Sequence, residues 1–568
     1  MKHPQSLDSI SQGCQQYWPP GAPTQAQYPI GRRPLNQYLA HWAQQVPNKS
    51  ALEFYGYSLS FAELDALSNQ FAHYLASIGI VKGDRVALYL PNCPQFNIAY
   101  FGVMKAGAIH VPVSPLSKQM ELMHQLGDSQ PKAVVSFDRL LEFMQPVCEQ
   151  LNIDNLLVTS ISELRPEQPT IPLPELFDAA KLDPVGGQVD FFSAIKDMPS
   201  SAPSVKVELD DVAALNYTGG TTGLPKGCVH THANIIDTVA AYSPLVYGDY
   251  DGNASEQVMC TFLPEFWIAG ENTGILFPMF SGNTLVLLAR WDCVAFLEAV
   301  EHYQVNVCNL LVDSIDEILN HPLVNDFNLE SLNCTPCISF IKKLNPDYRQ
   351  RWRELTGTTL FEAAYGMTET HTCDTFTKGF QEDNFDLKIE PAFVGMPVPG
   401  TQFKICDLAS EQELPIGSEG EIWIKSPTLF QGYWNKPEDN QRLLKDGWFR
   451  TGDLGMITEH GFVRYLGRFK EMIKVNGMSV FPTEIEAMLG QNEAIAACGV
   501  IGRKDTKKGQ VPVAFLTLKP GAKQSEAELN QWARNAMAVY KVPEIRILQQ
   551  LPMTATGKVR KKDLEDLL

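Results

Sequence analysis

An apolar residue recurs every three or four positions between Leu64 and Leu75, a spacing that predicts an amphipathic helix. Ser60 and Glu63 have the spacing of a capping box, so the helix is expected to begin after Ser60 and to end at Gly79. The patterning next predicts a second helix and three short buried strands: Gln95–Lys105, Arg85–Leu90, Ala108–Val113 and Lys132–Phe137. Helices and strands that alternate in this way predict βαβ units around a mainly parallel sheet.

Patterning changes several times farther along the chain. Prolines crowd residues 165–204, where regular structure is expected to lapse. A second alternation of helices and strands follows over residues 211–360, and a glycine-punctuated, β-rich stretch covers residues 394–466. These regions together predict one large domain, residues 1–469, made of βαβ subdomains and a β-rich subdomain.

After Arg468 the pattern restarts as a compact α+β unit, large enough to be a separate domain over residues 470–568. Its predicted elements are Pro482–Leu489 (helix), Ala497–Ile501 (strand), Val513–Leu518 (strand) and Ser525–Met537 (helix), followed by a basic tail. The fold class is therefore α/β, with a large N-terminal domain and a small α+β C-terminal domain.

Composition narrows the function. With 44% hydrophobic and 20% charged residues, the 568-residue chain is neither disordered nor collagen-like. Its net charge of -19 repels polyanions, so we expect no nucleic-acid partner and no anionic membrane surface as partner. Anionic substrates would have to be captured locally, by backbone amides and a few placed lysines.

Targeting signals and disulfides are not predicted. No apolar stretch follows the first residues, and no run approaches the roughly 20 apolar residues that span a bilayer, so we expect a cytoplasmic protein without a membrane span. The twelve cysteines lack CxxC spacing, which favours reduced thiols. Cys334, Cys337 and Cys373 have no matching histidine spacing and are interpreted as buried thiols rather than metal ligands.

A candidate phosphate-binding loop follows the predicted strand Ala213–Tyr217. Its sequence, TGGTTGLPKG, crowds glycines, threonines and one lysine together. Glycine lets successive N–H groups turn toward one anion, threonine adds donors, and lysine neutralises charge. The candidate ligands are Thr218, Gly219, Gly220, Thr221, Thr222, Gly223 and Lys226. The loop is not a Walker A motif, and the alternative interpretation is a mobile hairpin tip.

The segment YTGGTTGLPKG resembles the signature of AMP-forming adenylating enzymes, the superfamily of acyl-CoA synthetases, peptide-synthetase adenylation domains and luciferases. Gly219 stands where that signature often has serine. Four further motifs match in the family's order: AYGMTET (364–370), WFRTGDLG (448–455), GRFKEMIKVNG (467–477) and LPMTATGK (551–558). The resemblance covers the chain from about residue 35 onward and implies ATP, Mg²⁺ and coenzyme A as the bound cofactors and co-substrates.

The motifs imply roles in the large domain. In AYGMTET, Tyr365 would stack on adenine, Gly366 would line the same site, Thr368 would bond the α-phosphate and Glu369 would bind Mg²⁺ through a hard oxygen ligand. Two residues of the later motifs would bind ribose, the second also phosphate: Asp453 and Arg468.

In the small domain the resemblance implies a mobile lid. Lys470 would be the hinge, and Lys558 would reach the carboxylate and the α-phosphate during adenylation. After rotation, Lys474 and Gly477 would lie at the coenzyme A tunnel, where the thiol displaces AMP from the acyl-adenylate. Three basic neighbours are interpreted as solvated tail charge: Arg560, Lys561 and Lys562.

The acyl pocket is expected around LPEFWIAG, residues 263–270, where Trp267 stands in place of the family's usual histidine. The candidate pocket residues are Phe266, Trp267, Gly270 and Glu271. The apolar helix Ile275–Phe280 favours an aliphatic or aromatic acid; Glu265, Glu271 and Trp267 leave a betaine- or sulfonium-type acid as the alternative. The family's glycine-rich segment is also replaced, by CTPCISFIKKL at residues 334–344.

Two other functions share these motifs. A ligase that loads a separate carrier protein would need every nucleotide residue named above. A non-catalytic adenylate-binding sensor would have no use for Lys558, so that residue speaks against it. The expected partners are a small carboxylic acid, ATP and coenzyme A, and a homodimer stays open.

Overall fold

The computed structural model describes residues 17–218, 224–248, 256–339, 342–363, 365–388, 392–476, 478–554 and 558–568. In this part of the chain, seven strands form the first sheet, in the order Val189–Asp190, Asn155–Thr159, Ala133–Phe137, Arg85–Tyr89, Ile109–Pro112, Val212–Tyr217 and Gly227–Thr231. All neighbours are parallel except the last pair, which is an antiparallel hairpin. The predicted parallel sheet is confirmed.

A second, five-stranded sheet follows the same plan within the described residues. Its order is Val307–Cys308, Val258–Thr261, Thr284–Leu287, Ser50–Phe54 and Tyr57–Ser60, parallel except for the final hairpin. A short parallel sheet of Leu310–Leu311, Pro336–Ile338 and Phe361–Glu362 leads toward the AYGMTET motif. The strands Thr375–Phe376 and Met396–Pro397 pair next to it.

Helices cover these sheets, as the sequence predicts. The helix Phe61–Ser77 begins with the Ser60–Glu63 capping box, and Pro94–Lys105 is buried along its whole length. The other α-helices among the described residues of the large domain are Leu35–Gln45, Gln119–Ser129, Leu141–Leu151, Phe191–Ile195, His232–Val246, Ile268–Glu271, Phe277–Ser281, Cys293–Tyr303, Val312–Asn320, Pro346–Thr356, Phe385–Lys388 and Pro437–Leu443. Within the described residues, none of the helices combines the length and the hydropathy of a membrane span.

The β-rich stretch is an antiparallel sheet. Its path is Ala392–Phe393, Val463–Arg468, Trp448–Ile457, Gly420–Lys425 and Gln402–Cys406, and Leu444–Lys445 pairs beside Trp448–Ile457. This sheet ends at Arg468, where a short 3-10 turn, Phe469–Glu471, leads into the small domain.

The small domain has its own sheet and its own core. The strands run Met478–Val480, Ile473–Val475, Gly509–Leu518 and Ile495–Asp505, and Glu544–Ile547 lies parallel to Gly509–Leu518. The helices are Pro482–Leu489, Glu526–Ala536 and Lys561–Glu565. Two apolar clusters, made only of residues between 473 and 564, lie on the two faces of the sheet.

One assignment at the C-terminus is wrong. Lys561 is not solvated tail charge: its ammonium pairs with Glu471 at 2.7 Å and with Glu486 at 3.1 Å, and its side chain is only 18% exposed. The same segment forms a helix whose Leu564 is fully buried against the sheet. The tail therefore packs on the small domain, where Leu564 and Val559 join the same apolar cluster and Lys561 has two acidic partners.

Candidate active site

The candidate phosphate loop closes the hairpin at the edge of the first sheet. The strands Val212–Tyr217 and Gly227–Thr231 pair antiparallel from Tyr217↔Gly227 to Val212↔Thr231, with a shift in register between Val212 and Ala214. The hairpin continues one step further, since Thr218 N–H donates to the Lys226 carbonyl at 2.9 Å and Lys226 N–H donates to Thr218 Oγ1 at 3.2 Å. Five of the predicted ligands, Gly219, Gly220, Thr221, Thr222 and Gly223, lie outside the described residues.

Lys226 is held by the segment that follows residue 430. Its ammonium forms an ion pair with Asp439 and lies 5.0 Å from the centre of the Tyr433 ring. The Tyr433 hydroxyl donates to Glu369 Oε1 at 2.5 Å. One tyrosine thus contacts both the loop lysine and the predicted magnesium ligand. Burial and the Glu369 charge raise the pKa of Tyr433 far above its ordinary value, so the hydroxyl remains a donor.

Gly366 fixes the turn that carries Thr368 and Glu369. A Cβ atom at Gly366 would lie 1.9 Å from the Thr372 carbonyl oxygen, so no other residue fits without moving the backbone. The 3-10 turn Thr368–Thr370 follows directly, and the Glu369 carbonyl accepts a hydrogen bond from Phe430 N–H at 2.9 Å. Glu369 is therefore hydrogen-bonded through its backbone and its side chain to residues 430–439, the same segment that contacts Lys226.

Asp453 joins the AYGMTET motif to the domain boundary. Only 2% exposed, it accepts a hydrogen bond from the Tyr365 hydroxyl at 2.6 Å and forms an ion pair with Arg468 Nε at 2.7 Å. Burial raises the pKa of this carboxyl, and the Arg468 charge opposes that shift. Each carboxylate oxygen of Asp453 thus contacts a protein group, and a ribose would have to exchange with these groups.

Lys558 of the small domain interacts electrostatically with Arg468 and Asp453. Its side chain is exposed, yet the surrounding protein atoms and then the Arg468 charge lower its pKa below the ordinary lysine value, while Asp453 opposes them. Lys343, from the altered segment 334–344, adds a further positive charge in the same neighbourhood. The candidate adenylation lysine and the candidate ribose residues therefore share one electrostatic environment.

The remaining candidates of the small domain lie elsewhere. Lys470 is exposed within the turn Phe469–Glu471, between the two domains. Lys474 lies on the strand Ile473–Val475 with its side chain exposed, and its N–H donates to Gln510 Oε1 at 2.8 Å. Gly477 lies outside the described residues.

The candidate acyl pocket is built on one interrupted helix. Ile268–Glu271 and Phe277–Ser281 are α-helical, and a π-helical turn, Asn272–Leu276, joins them. Single π turns inside α-helices occur frequently at functional sites. Phe266 and Trp267 precede the helix with their rings edge to face, 5.0 Å apart. A Cβ at Gly270 would lie 1.9 Å from the Pro264 carbonyl oxygen, so glycine is required there.

Glu271 is buried rather than open to a ligand. Its two carboxylate oxygens accept from the Tyr100 hydroxyl at 3.0 Å and from Asn216 Nδ2 at 2.8 Å, and burial raises its pKa to about 7. Glu265 is equally buried; Oε1 accepts from Asn97 Nδ2 at 2.8 Å, and its pKa is also raised by burial. Their partners come from the helix Pro94–Lys105 and the strand Val212–Tyr217.

Sequence reasoning missed several members of these contacts. Tyr433 and Asp439 belong to GYWNKPED, residues 432–439, where a tyrosine and two acids follow a turn. The signal was weak, because the motif has no spacing typical of catalysis. Tyr100 and Asn216 lie on a helix and a strand far from Glu271 in sequence, and no local pattern could join them.

Magnesium fits the donors present. Among the described residues there is no group of three or more histidine, cysteine or acidic side chains that could hold a metal. A magnesium ion bound with nucleotide phosphates needs only one or two carboxylates, since phosphate and water oxygens supply the other ligands. Glu369 would supply such a carboxylate, and its Oε1 accepts a hydrogen bond from the Tyr433 hydroxyl.

A large domain with a candidate nucleotide site, faced by a lysine of a small second domain, is typical of an enzyme that closes over a nucleotide. The chain belongs to the AMP-binding enzyme family: the family model matches residues 39–434, and that of the AMP-binding enzyme C-terminal domain matches residues 484–558. The resemblance and the two-domain fold predicted from the sequence are thereby confirmed.

Individual relatives match over nearly the whole chain. A long-chain-fatty-acid–CoA ligase of Bacillus subtilis is 32% identical over 548 residues, covering 94% of this chain and 95% of the relative. A 4-coumarate–CoA ligase of Petroselinum crispum is 28% identical over 94% of this chain and 93% of its own. The solved o-succinylbenzoate coenzyme A synthetase of Bacillus subtilis, in complex with ATP and magnesium ion, superposes with a TM-score of 0.76 at 25% identity, covering 93% of this chain and 99% of that one.

Proposed function

We propose that this chain is an AMP-forming carboxylic acid:CoA ligase, which activates an acid with ATP as an acyl-adenylate and transfers the acyl group to coenzyme A. The proposal rests on how the candidate residues are connected. Lys226 contacts Tyr433, which is hydrogen-bonded to Glu369. Asp453 joins Tyr365 to Arg468, and the charge of Lys558 interacts with Asp453 and Arg468. Adenylation needs this set of cationic and metal-binding groups around one phosphate chain.

In the first half-reaction, a carboxylate oxygen attacks the α-phosphorus of ATP and pyrophosphate leaves. Lys226 would hold the outer phosphates, and Lys558 would offset the charge that builds as the two anions meet. Glu369 would hold magnesium, which neutralises phosphate charge when bound. Tyr365, Gly366 and Thr368 would position the adenosine and the α-phosphate, and the protein needs no general base because the attacking carboxylate is already ionised.

In the second half-reaction, the thiol of coenzyme A attacks the acyl carbon and AMP leaves. We place the domain boundary between residues 469 and 470, with Lys470 as the hinge, because the apolar clusters of the small domain contain only residues beyond it. Rotation about this hinge would withdraw Lys558 and bring Lys474 and Gly477 to the tunnel for coenzyme A.

An aliphatic or aromatic acid is the favoured substrate. Phe266, Trp267 and the helix behind them offer apolar surface, and both oxygens of Glu271 are already engaged by Tyr100 and Asn216. A cationic acid would need a carboxylate free to pair with it, which Glu271 does not offer. Glu265 keeps Oε2 without a hydrogen-bond partner, so the alternative substrate class depends on that oxygen. The long-chain-fatty-acid and 4-coumarate ligases named above are relatives with substrates of the favoured kinds.

We place the reaction in the cytoplasm.

The test is a substrate panel. Hexanoate, a long-chain fatty acid, benzoate and a betaine-type acid would each be assayed for pyrophosphate release and for thioester formation, with coenzyme A or with a phosphopantetheinylated carrier protein as acceptor. We expect thioester with coenzyme A and an uncharged acyl group. Preference for the betaine, or transfer only to the carrier, would replace the proposal with the corresponding alternative.

A further inference from the structure

We propose that Tyr433 is a positioning residue of the nucleotide site: its hydroxyl orients the Glu369 carboxylate for magnesium, while its ring supports the ammonium of Lys226. This inference rests on the proposed function, since it assigns Glu369 to the metal and Lys226 to the phosphates. It adds a residue that touches neither substrate and that connects the two groups that do.

The hydrogen bond to Glu369 gives the first argument. The Tyr433 hydroxyl donates to Glu369 Oε1 at 2.5 Å and so restricts the rotation of the carboxylate. The lone pairs that do not accept this hydrogen bond remain for the metal. Groups that hydrogen-bond to metal ligands commonly set the geometry of the ligand and change metal affinity by about 10- to 100-fold when they are removed. Tyr433 is only 7% exposed, so water does not easily replace it.

The ring gives the second argument. The Lys226 ammonium lies 5.0 Å from the ring centre, within the range of a cation–π interaction. Lys226 also forms an ion pair with Asp439. The same carboxylate pairs with Arg442, whose Nη2 lies 2.8 Å from Asp439 Oδ1. When a phosphate binds Lys226, Asp439 can keep its ion pair with Arg442 alone. The contact of the Lys226 ammonium with the Tyr433 ring can therefore persist through nucleotide binding.

The backbone around Tyr433 is itself anchored. Its N–H donates to Asn440 Oδ1 at 2.7 Å, and its carbonyl accepts from Asn440 Nδ2 at 2.9 Å. On either side, Val229 N–H donates to the Gly432 carbonyl at 3.0 Å and Trp434 N–H to the Gly227 carbonyl at 2.8 Å. The residue is thus clamped to the strand that begins one residue after Lys226, as a positioning role requires.

Calorimetric titration with ATP tests this role. ATP is added to the 568-residue protein at a series of magnesium concentrations, with no carboxylic acid substrate present. Tyr433→Phe removes the hydroxyl and keeps the ring. Without magnesium, we expect the affinity of this variant for ATP to stay within about twofold of wild type. Magnesium should increase ATP affinity in both proteins, and the magnesium concentration at which half of that increase is reached should be about tenfold higher in the variant. Tyr433→Leu removes the ring as well and should in addition weaken magnesium-free binding several-fold.

Tyr89→Phe is the matched control, because Tyr89 is a buried tyrosine whose hydroxyl donates to the Ser117 carbonyl at 2.6 Å, outside the site described. It should leave both quantities unchanged, and melting temperatures would show that all variants are folded. An unchanged magnesium dependence in Tyr433→Phe would overturn the inference and leave the proposed function standing, as would equal weakening with and without magnesium. Absence of ATP binding by the wild type would overturn both.

Discussion

Glu271 is a buried acid whose protonation should couple the stability of the fold to pH. It is fully buried, and both of its carboxylate oxygens accept hydrogen bonds, from Tyr100 and Asn216. Burial raises its pKa from 4.5 to about 7, so the folded protein binds a proton that the unfolded chain releases. The stabilisation is fully present below pH 4.5 and is lost as the pH rises through 7.

Glu271→Gln should flatten the stability profile in that window. Glutamine has the shape of the protonated carboxyl, with an acceptor oxygen and an NH2 donor group, and it does not titrate, so the free energy of unfolding of the variant should stay constant between pH 5 and pH 8. The wild type should lose on the order of 2 kcal/mol relative to the variant over the same range, since one pKa unit corresponds to about 1.4 kcal/mol. Urea denaturation at both pH values measures this, with Glu419→Gln on the exposed surface as control. Parallel profiles for wild type and Glu271→Gln would contradict the assignment.

Periodic elements could be predicted from the sequence. The helices near residues 61–77 and 94–105 and the strands around 85, 109 and 133 have apolar spacing strong enough to identify them. The hairpin Ile473–Val480 was missed because its strands are three residues long and Lys474 breaks the apolar run. The π turn at Asn272–Leu276 leaves no sequence signal, since it changes only the hydrogen-bond spacing.

The candidate site was predicted only in part, for a similar reason. Motifs made of consecutive residues, such as AYGMTET, can be compared with a family signature directly in the sequence. Contacts such as those of Tyr433 with Glu369 or of Asp439 with Lys226 join positions 64 and 213 residues apart. Only the folded chain brings them together, because pairing between distant segments depends on the sheet order.

The turn that carries Glu369 should not tolerate a methyl group at its start. In Gly366→Ala the new Cβ would meet the Thr372 carbonyl oxygen at 1.9 Å, so the backbone of the turn must move. We expect a loss of about 1–3 kcal/mol in the free energy of unfolding and ATP binding weakened about tenfold or more, on the precedent that groups orienting a metal ligand change affinity by that factor.

Gly127→Ala is the opposite case and serves as the control. Gly127 lies in the helix Gln119–Ser129 with nothing within 4 Å of the added Cβ. Alanine there should stabilise the protein by about 0.5–1 kcal/mol and leave ATP binding unchanged. Chemical denaturation and nucleotide titration of both variants measure this. Equal effects at the two glycines would show that the packing of the turn is not what constrains Gly366.

Two cores separated by an exposed turn predict where the whole molecule is cut. The small domain has apolar clusters of its own, while Phe469 is 42% exposed and Lys470 is exposed beside it. Brief trypsin treatment should therefore cleave first at Lys470 and give two protected fragments. A bound acyl-adenylate analogue should slow the cleavage several-fold by holding the lid closed. Mass spectrometry of the fragments would locate the cut, with Lys470→Gln as control, and a first cut elsewhere would contradict the domain boundary.

The central claim is that the chain joins a carboxylic acid to AMP before any thiol takes part. Exchange of labelled pyrophosphate into ATP, measured without coenzyme A, tests it most directly. The account predicts exchange that requires both magnesium and an acid, falls by a factor of about 100 or more in Lys558→Ala, and is unaffected in Lys562→Ala. Exchange that ignores the acid, full exchange by Lys558→Ala, or release of ADP and phosphate in place of AMP would contradict it.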